Sequence, residues 1–318
     1  MATVAIYGAG QLGNTVAEIL KEVPHHKVLG VFTREERVKA LTSGADVLII
    51  ATTTKFKDVA ADIELAVQSG SHVLVSSEEC AYPWAVDREL ADSLDALAKS
   101  KRVSISGTGV NPGLIFDSLV LTLLGAAPRG CTIAVRRTVN ISGFGATVLR
   151  RLGMGFTPDV FAERVKREEI LGHAGFPQSM TVVADAMGLK IDAIEKELLP
   201  LITDYEIDLP DRFLIAAGES AGVNQTYTAK VGGKPWFVSH FYGHVDLAGI
   251  NKSAQDEIEL SLDGKAFQTI TLKPGIGSQV GSKNMVANSI QRILAVHAAQ
   301  EVGVVVAGQL VVERCAAD

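Results

Sequence analysis

The segment that decides the fold lies at residues 3–13 and reads Thr3-Val4-Ala5-Ile6-Tyr7-Gly8-Ala9-Gly10-Gln11-Leu12-Gly13. A short apolar run leads directly into a glycine turn, and residues 14–22 then carry apolar side chains at helical spacing. Gly8, Gly10 and Gly13 match the G-x-G-x-x-G pattern, whose glycines allow a tight turn, close approach to a pyrophosphate, and close packing of helix on strand. An ordinary glycine-rich turn would look similar, but the strand before it and the helix after it favour a dinucleotide site that includes Gln11 and Leu12.

Strands and helices alternate over the rest of the first third of the chain. The predicted strands are residues 27–32, 46–51, 72–76 and 102–106, and the predicted helices are residues 58–69 and 87–100. Alternation of this kind is typical of a doubly wound parallel sheet. We therefore expect an α/β protein whose residues 1–115 form a Rossmann-type dinucleotide-binding domain.

The pattern changes after residue 115. Predicted strands at residues 132–141, 225–231, 236–241, 257–262 and 269–272 follow one another with few helices between them. Helices are predicted only at residues 158–169 and 178–187, so residues 116–282 are expected to form an α+β substrate and dimerisation domain on a largely antiparallel sheet. A last helix, residues 283–302, is expected to pack back on the dinucleotide-binding domain.

The composition narrows the class of partner. The formal net charge is −6 and the basic residues are scattered, so the sequence shows no basic cluster that would bind nucleic acid or anionic lipid. The three cysteines, Cys80, Cys131 and Cys315, fit neither a disulfide framework nor a zinc site, and no metal-binding motif occurs. The longest apolar runs are far shorter than the roughly 20 residues of a membrane span. We expect a cytoplasmic protein without a metal, a membrane or a nucleic acid as partner.

The end of the second predicted strand bears on the choice of cofactor. An acidic residue usually binds the ribose of NAD at this point, but the chain reads Thr33-Arg34 instead. Thr33 with Arg34 or Arg37 could bind a 2′-phosphate, because a guanidinium matches phosphate geometry. NADP is therefore the preferred prediction, and NAD stays possible because Glu35 could serve it or the charges could simply be solvated.

Small polar residues follow the next strands. Ala51, Thr52 and Thr53 come after the third strand and Ser76 ends the fourth, where a cofactor's ribose and phosphates would pass. The segment 107–113 is rich in glycine and carries Thr108 and Asn111, which we interpret as backbone shaped around a nicotinamide with Asn111 as a polar contact. Plain turns would explain the same residues.

Glu78 and Glu79 directly follow the fourth predicted strand. Ligands of open α/β sheets bind outside the carboxyl ends of the strands, so these carboxylates are the candidates for acid/base chemistry. Tyr82, Pro83 and Trp84 come next, and their rings could shield one carboxyl and raise its pKa. The alternative is an exposed acidic pair that merely follows a strand.

Several separated blocks resemble the 2,4-diaminopentanoate dehydrogenases and the related native amine dehydrogenases, whose nucleotide domain is akin to that of the dihydrodipicolinate reductases. The blocks lie at residues 78–84, 107–113, 144–161, 172–188 and 221–225. The resemblance implies that Glu79, or else Glu78, is the catalytic acid/base. It also implies that Asn111, Arg137, His173 and Gln225 line the substrate site and that the protein is a homodimer. Gln225 is a departure from the family, because relatives can carry His at this position. On spacing alone, Arg137 and His173 would be structural residues.

Together with the dinucleotide motif, the resemblance implies an NAD(P)-dependent oxidoreductase acting on CH-NH2 groups, with a small amine, or a carbonyl plus ammonia, as its substrates. It would deaminate a primary amine oxidatively and aminate a ketone or aldehyde in reverse. One alternative is an imine or enamine reductase of the dihydrodipicolinate reductase type, although we find no basic His-Lys run for a dicarboxylate. The other is a non-catalytic NADP-binding sensor.

Overall fold

The structure is a computed structural model, and it describes residues 1–23, 25–298 and 302–306. It divides into two compact units. The first comprises Met1–Thr122, Pro177–Gly188 and Val280–Asp318, and the second Leu123–Phe176 and Leu189–Gln279. Residues 177–188 thus group with the first unit, although we expected them in the second domain. The functional boundary at residue 115 stays a prediction.

The strands are numbered in chain order. Those of the first unit are β1 (Ala2–Tyr7), β2 (His26–Phe32), β3 (Val47–Ile50), β4 (His72–Val75), β5 (Ser104–Gly107) and β14 (Gly303–Val304). Those of the second are β6 (Thr132–Asn140), β7 (Ala193–Ile202), β8 (Ile207–Leu209), β9 (Phe213–Ile215), β10 (Ser220–Val231), β11 (Lys234–His244), β12 (Gln255–Leu262) and β13 (Lys265–Leu272).

The helices are likewise numbered in chain order. They are α1 (Gln11–Lys21), α2 (Arg37–Leu41), α3 (Phe56–Gln68), α4 (Arg88–Lys101), α5 (Ser118–Leu124), α6 (Ala146–Arg151), α7 (Pro158–Lys166), α8 (Phe176–Ala186) and α9 (Ser278–Ala298). Two short 3-10 turns, Glu78–Ala81 and Pro83–Ala85, follow β4.

The sheet of the first unit is parallel, with strand order β14-β5-β4-β3-β1-β2. The order reverses at β1, and the glycine turn follows this strand. Apolar residues of β1, β3 and α1 share a buried cluster with α9, to which that helix contributes Val286, Ile290 and Ile293. The predicted Rossmann-type sheet is confirmed.

The main sheet of the second unit has the order β13-β12-β6-β11-β10-β7. Its neighbours pair antiparallel except β6 and β11, which run parallel, so the predicted largely antiparallel sheet is also confirmed. Strand β7 was not predicted, because its charges and Pro200 do not read as a buried strand. It lies at the edge of the sheet, where proline is tolerated.

The last helix differs from the prediction. It begins at Ser278 rather than residue 283, and residue 302 is not helical. The part of the prediction at residues 299–301 lies outside the described residues, as does Cys315. No helix within the described part of the chain is long and apolar enough to cross a bilayer.

Candidate active site

The glycine turn after β1 has the geometry that its sequence predicts. Gly8 has φ +126°, and a Cβ placed on it would lie 2.2 Å from the carbonyl oxygen of Ala51. A Cβ on Gly13 would lie 2.0 Å from the carbonyl oxygen of Gly8. A Cβ on Gly10, at the N-terminus of α1, would meet nothing within 4 Å. The turn is therefore tightly packed against protein atoms at Gly8 and Gly13, whereas Gly10 faces open space. This open space fits a pyrophosphate held against the positive end of a helix.

Three segments leave adjacent parallel strands at the same edge of the sheet. Backbone hydrogen bonds continue from the strands into them, from Ala51 N to Tyr7 O (2.8 Å), Ser76 N to Ile50 O (3.0 Å) and Thr108 N to Val75 O (2.9 Å). The predicted residues Thr52 and Thr53, Ser76 to Glu79, and Thr108 to Asn111 thus share one edge. This is the edge at which ligands bind in open α/β sheets.

The carboxylate of Glu79 lies at the N-terminus of α3. Its Oε2 accepts a hydrogen bond from the backbone N–H of Phe56 at 2.8 Å. Ser77 adds a hydrogen bond from its hydroxyl to the carbonyl oxygen of Thr53. Because a helix N-terminus attracts negative charge, this contact makes Glu79 a cap of α3. Glu78 is partly buried beside it.

The aromatic residues that follow Glu79 have their own acidic partners. The Tyr82 hydroxyl donates to Asp185, and Trp84 Nε1 donates to Asp92 Oδ1 at 2.7 Å. The two rings lie 5.5 Å apart between their centroids. Shielding of a catalytic carboxyl by these rings stays a prediction.

Gly107 brings the Glu79 segment and the Asn111 segment into contact. A Cβ on Gly107 would lie 2.2 Å from the carbonyl oxygen of Cys80, so a larger residue would push the turn at Glu78–Ala81 away from β5. Asn111 is 9% exposed, and neither polar atom of its side chain has a hydrogen-bond partner in the described part of the chain. Buried polar groups are almost always paired, so the side chain of Asn111 is a candidate for contact with a ligand.

The residues predicted for a 2′-phosphate differ in their surroundings. Thr33 and Arg34 are exposed at the end of β2. A hydrogen bond from the Thr33 side chain holds the pKa of Glu35 below its ordinary value. Arg37 is bound by Asp62, whose Oδ1 lies 2.5 Å from both Nε and Nη2. Arg34 is thus the more accessible guanidinium, and Arg37 is held in place.

In the second unit, Arg137 is buried in an ion pair. Nη1 lies 2.7 Å from Asp256 Oδ1, and Nη2 donates to the carbonyl oxygen of Ile276 at 2.6 Å and to Ser278 Oγ at 3.2 Å. The side chain is 1% exposed. These contacts bind the segment before α9 to β6 and β12, so the guanidinium is engaged within the protein.

Gln225 fixes the backbone of His173. Its Oε1 accepts from His173 N at 2.8 Å, and its Nε2 donates to His173 O at 3.1 Å. Gly172, with φ +69°, makes this possible, because a Cβ there would lie 2.5 Å from Gln225 Oε1. The amide of Gln225 therefore positions His173.

The ring of His173 is held in one tautomer. Nδ1 lies 2.7 Å from the carbonyl oxygen of Ala174, which can only accept, so Nδ1 carries the proton and Nε2 has a free lone pair. The ring centroid lies 4.9 Å from that of Phe241. Burial lowers the pKa of His173 to about 4, so at neutral pH the ring is an uncharged hydrogen-bond acceptor at Nε2.

Several groups that form hydrogen bonds with the candidate site residues or their segments were not predicted from the sequence. They are the acids Asp62, Asp117, Asp185 and Asp256 and the backbone N–H of Phe56. A backbone donor has no signature in the sequence. Asp117, however, stands alone in the apolar run of residues 114–121, and an isolated acid in such a run indicates a buried carboxylate with dedicated partners.

Comparison with known proteins gives the family. Residues 114–315 match the model of the 2,4-diaminopentanoate dehydrogenase C-terminal domain. The chain is 32% identical over 245 residues to 2,4-diaminopentanoate dehydrogenase of Acetoanaerobium sticklandii, which covers 69% of each protein.

Two solved structures share the fold. The amine dehydrogenase of Mycobacterium smegmatis superposes with a TM-score of 0.79 at 20% identity, covering 100% of this chain and 97% of that one. An engineered D-amino acid dehydrogenase bound to NADP+ superposes with a TM-score of 0.52 at 13% identity, covering 97% and 93%. The predicted family is confirmed: the chain belongs to the 2,4-diaminopentanoate dehydrogenase family and is an oxidoreductase that acts on amines.

Proposed function

We propose that this protein is an NAD(P)-dependent amine dehydrogenase, which converts a primary amine and water to a carbonyl compound and ammonia and can run in reverse as a reductive aminase. The observation that carries the proposal is the carboxylate of Glu79, held at the N-terminus of α3 by Phe56 N–H in the unit that contains the glycine turn. A fixed anion at the substrate edge of a dinucleotide-binding sheet suits a reaction that passes through a cation.

The oxidised nicotinamide cofactor would accept a hydride from the amine-bearing carbon when bound. The turn at Gly8, Gly10 and Gly13 would hold its pyrophosphate. Thr33 and Arg34 would bind a 2′-phosphate, with Arg37 held by Asp62 beside them, which supports NADP as the preferred cofactor and leaves NAD possible. The structure of the engineered D-amino acid dehydrogenase contains NADP+.

Glu79 would hold the reacting nitrogen. Loss of hydride from a neutral amine leaves an iminium cation, which an ionised carboxylate stabilises electrostatically. Water then adds to the iminium carbon and the nitrogen leaves as ammonia. Glu79 would accept the proton from that water, and in the reductive direction it would hold ammonium against the carbonyl. Glu78 is the alternative residue for this role.

The remaining candidates would orient the substrate. Asn111 supplies a buried amide with unused hydrogen-bonding capacity. His173 supplies an acceptor nitrogen, because its Nδ1 proton is committed to Ala174. Arg137 forms a buried ion pair with Asp256. We therefore propose that it borders the substrate site and does not bind a carboxylate of the substrate. This assignment favours substrates whose second end is uncharged or donates hydrogen bonds.

The test is a panel of ketones, aldehydes and a cyclic imine mixed with NADPH or NADH, each with and without ammonia, with cofactor oxidation followed optically. We expect oxidation that requires ammonia and is faster with NADPH. Oxidation of a cyclic imine without ammonia would support the imine reductase alternative, and cofactor binding without turnover would support the sensor. A homodimer and a cytoplasmic location belong to the same proposal.

A further inference from the structure

We propose that helix α8 (Phe176–Ala186) braces the two segments that carry Glu79 and Asn111, and that Asp117, Ser179, Tyr82 and Asp185 are positioning residues. The inference rests on the proposed function for the importance of Glu79 and Asn111. The brace itself is argued from hydrogen bonds within the first unit.

The first contact joins α8 to the Asn111 segment through Asp117. This residue is 1% exposed, and burial raises the pKa of its carboxyl. Its Oδ2 accepts from Gly113 N at 2.7 Å and from the Ser179 hydroxyl at 2.9 Å, and its Oδ1 accepts from Ser118 N at 2.6 Å. A buried carboxylate with these donors has little freedom to move, so it ties the end of the Asn111 segment to α8.

The second contact joins α8 to the Glu79 segment. Tyr82 is 5% exposed, and its hydroxyl donates to the carboxylate of Asp185 on α8. Tyr82 lies directly after the 3-10 turn that carries Glu79. The bond therefore fixes the C-terminal end of that turn.

Both contacts are made by one helix that is itself anchored. Ser179 and Asp185 lie about 9 Å apart along the axis of α8, from a rise of about 1.5 Å per residue. Met180 and Val183, between them, are fully buried. Residues Pro177–Gly188 group with the first unit although the chain on either side belongs to the second. The helix therefore belongs to the first unit, and its side chains form hydrogen bonds with both segments of the candidate site.

The proposed role requires a coupling between the two segments. If α8 only packs against the two segments, loss of one hydrogen bond would loosen only the segment that takes part in that bond. If α8 is a brace, loss of the Ser179 hydroxyl releases the helix and thereby loosens the Tyr82 contact as well. Amide hydrogen exchange separates these cases, because it reports each segment individually and requires no substrate.

We would compare Ser179→Ala with Thr181→Ala in the full chain by hydrogen exchange. The Thr181 hydroxyl donates to Pro177 O within the same helix, at 2.7 Å, so its removal changes α8 without touching either segment. We expect Ser179→Ala to speed exchange about three- to tenfold in residues 107–118 and also in residues 78–86, as loss of one hydrogen bond would produce. Thr181→Ala should change neither segment.

The reciprocal pair is Tyr82→Phe and Tyr205→Phe. Tyr205 makes the same kind of bond, to Asp246 Oδ2 at 2.8 Å, in the second unit. Tyr82→Phe should speed exchange in both segments, and Tyr205→Phe in neither. Ser179→Thr, which keeps the hydroxyl, should restore slow exchange and, if the proposed function holds, the turnover that Ser179→Ala loses. Faster exchange confined to the altered segment, or in no segment, would overturn the brace, whatever reaction the protein catalyses.

Discussion

The carboxylate of Glu79 and the backbone N–H of Phe56 are joined by a hydrogen bond of 2.8 Å, which closes the N-terminus of α3. The residue before α3, Lys55, offers no side-chain cap, so Glu79 takes that role from the neighbouring strand end. One side chain thus stabilises the fold and occupies the candidate catalytic position.

The double role of Glu79 predicts that two substitutions differ in their effect on the free energy of unfolding. Glu79→Ala removes the capping acceptor and should lower the free energy of unfolding by about 1 kcal/mol. Glu79→Gln keeps an acceptor oxygen and should retain at least half of that stability. Denaturant unfolding of the three proteins measures the difference. Unchanged stability in Glu79→Ala would show that the cap contributes little, and equal losses for Ala and Gln would show that the cap needs the negative charge.

The glycine turn predicts opposite effects at two positions. Gly13→Ala would place a methyl group 2.0 Å from the carbonyl oxygen of Gly8, and should destabilise the protein by about 2 kcal/mol or more. Gly10→Ala has open space and an ordinary backbone conformation, so the melting temperature should change little. Its methyl group would instead occupy the space proposed for the pyrophosphate, and should weaken NADPH binding at least about tenfold. Unchanged NADPH affinity in Gly10→Ala would contradict this placement of the cofactor.

The choice of cofactor should depend on Arg34. A charge-assisted hydrogen bond contributes about 1.5–3 kcal/mol, so Arg34→Ala should weaken NADPH binding by about tenfold or more. NADH lacks the 2′-phosphate and should bind with an affinity within about twofold of the original. Fluorescence titration with both cofactors gives the two dissociation constants, and Arg129→Ala, an exposed arginine of the second unit, is the control. A parallel loss for both cofactors would exclude recognition of the 2′-phosphate by Arg34.

His173 should make stability depend on pH. Its pKa in the folded protein is about 4, below the ordinary value of 6.5, so the unfolded chain takes up the proton first. The stabilisation from the neutral ring is complete above pH 6.5 and is lost as the pH falls toward 4. His173→Gln should therefore flatten the decline in unfolding free energy over that interval. Identical slopes for the two proteins would mean that His173 does not contribute.

The sequence alone predicts the parts of this structure that depend on local patterns. Gly8, Gly10 and Gly13 each have a defined steric role, so their spacing predicts the turn and the sheet around it. The edge strand β7 was not predicted, because a strand that pairs on only one side can contain proline and charged residues, and such a sequence lacks the apolar pattern of a buried strand. The two-residue strand β14 is too short to leave a pattern.

The sequence selects candidate site residues by their type, but it does not show the partners of their side chains. Glu79, Arg137 and His173 were all selected, yet the partners that define their chemistry are distant in sequence or belong to the backbone. The ion pair of Arg137 joins two strands separated by more than a hundred residues, and the cap of α3 by Glu79 uses an N–H that any residue would supply. Such contacts follow from the tertiary fold, and periodicity cannot show them.

The role of Glu79 in catalysis is tested most directly by the turnover number of Glu79→Gln in reductive amination, with saturating NADPH, ammonia and the best carbonyl substrate of the panel. We expect a fall of about a hundred- to ten-thousandfold, the range typical of a lost acid/base group, with the dissociation constant of NADPH within about twofold of the original. Glu78→Gln should retain most of the activity. Undiminished turnover by Glu79→Gln would contradict the assignment of Glu79 as the group that holds the reacting nitrogen.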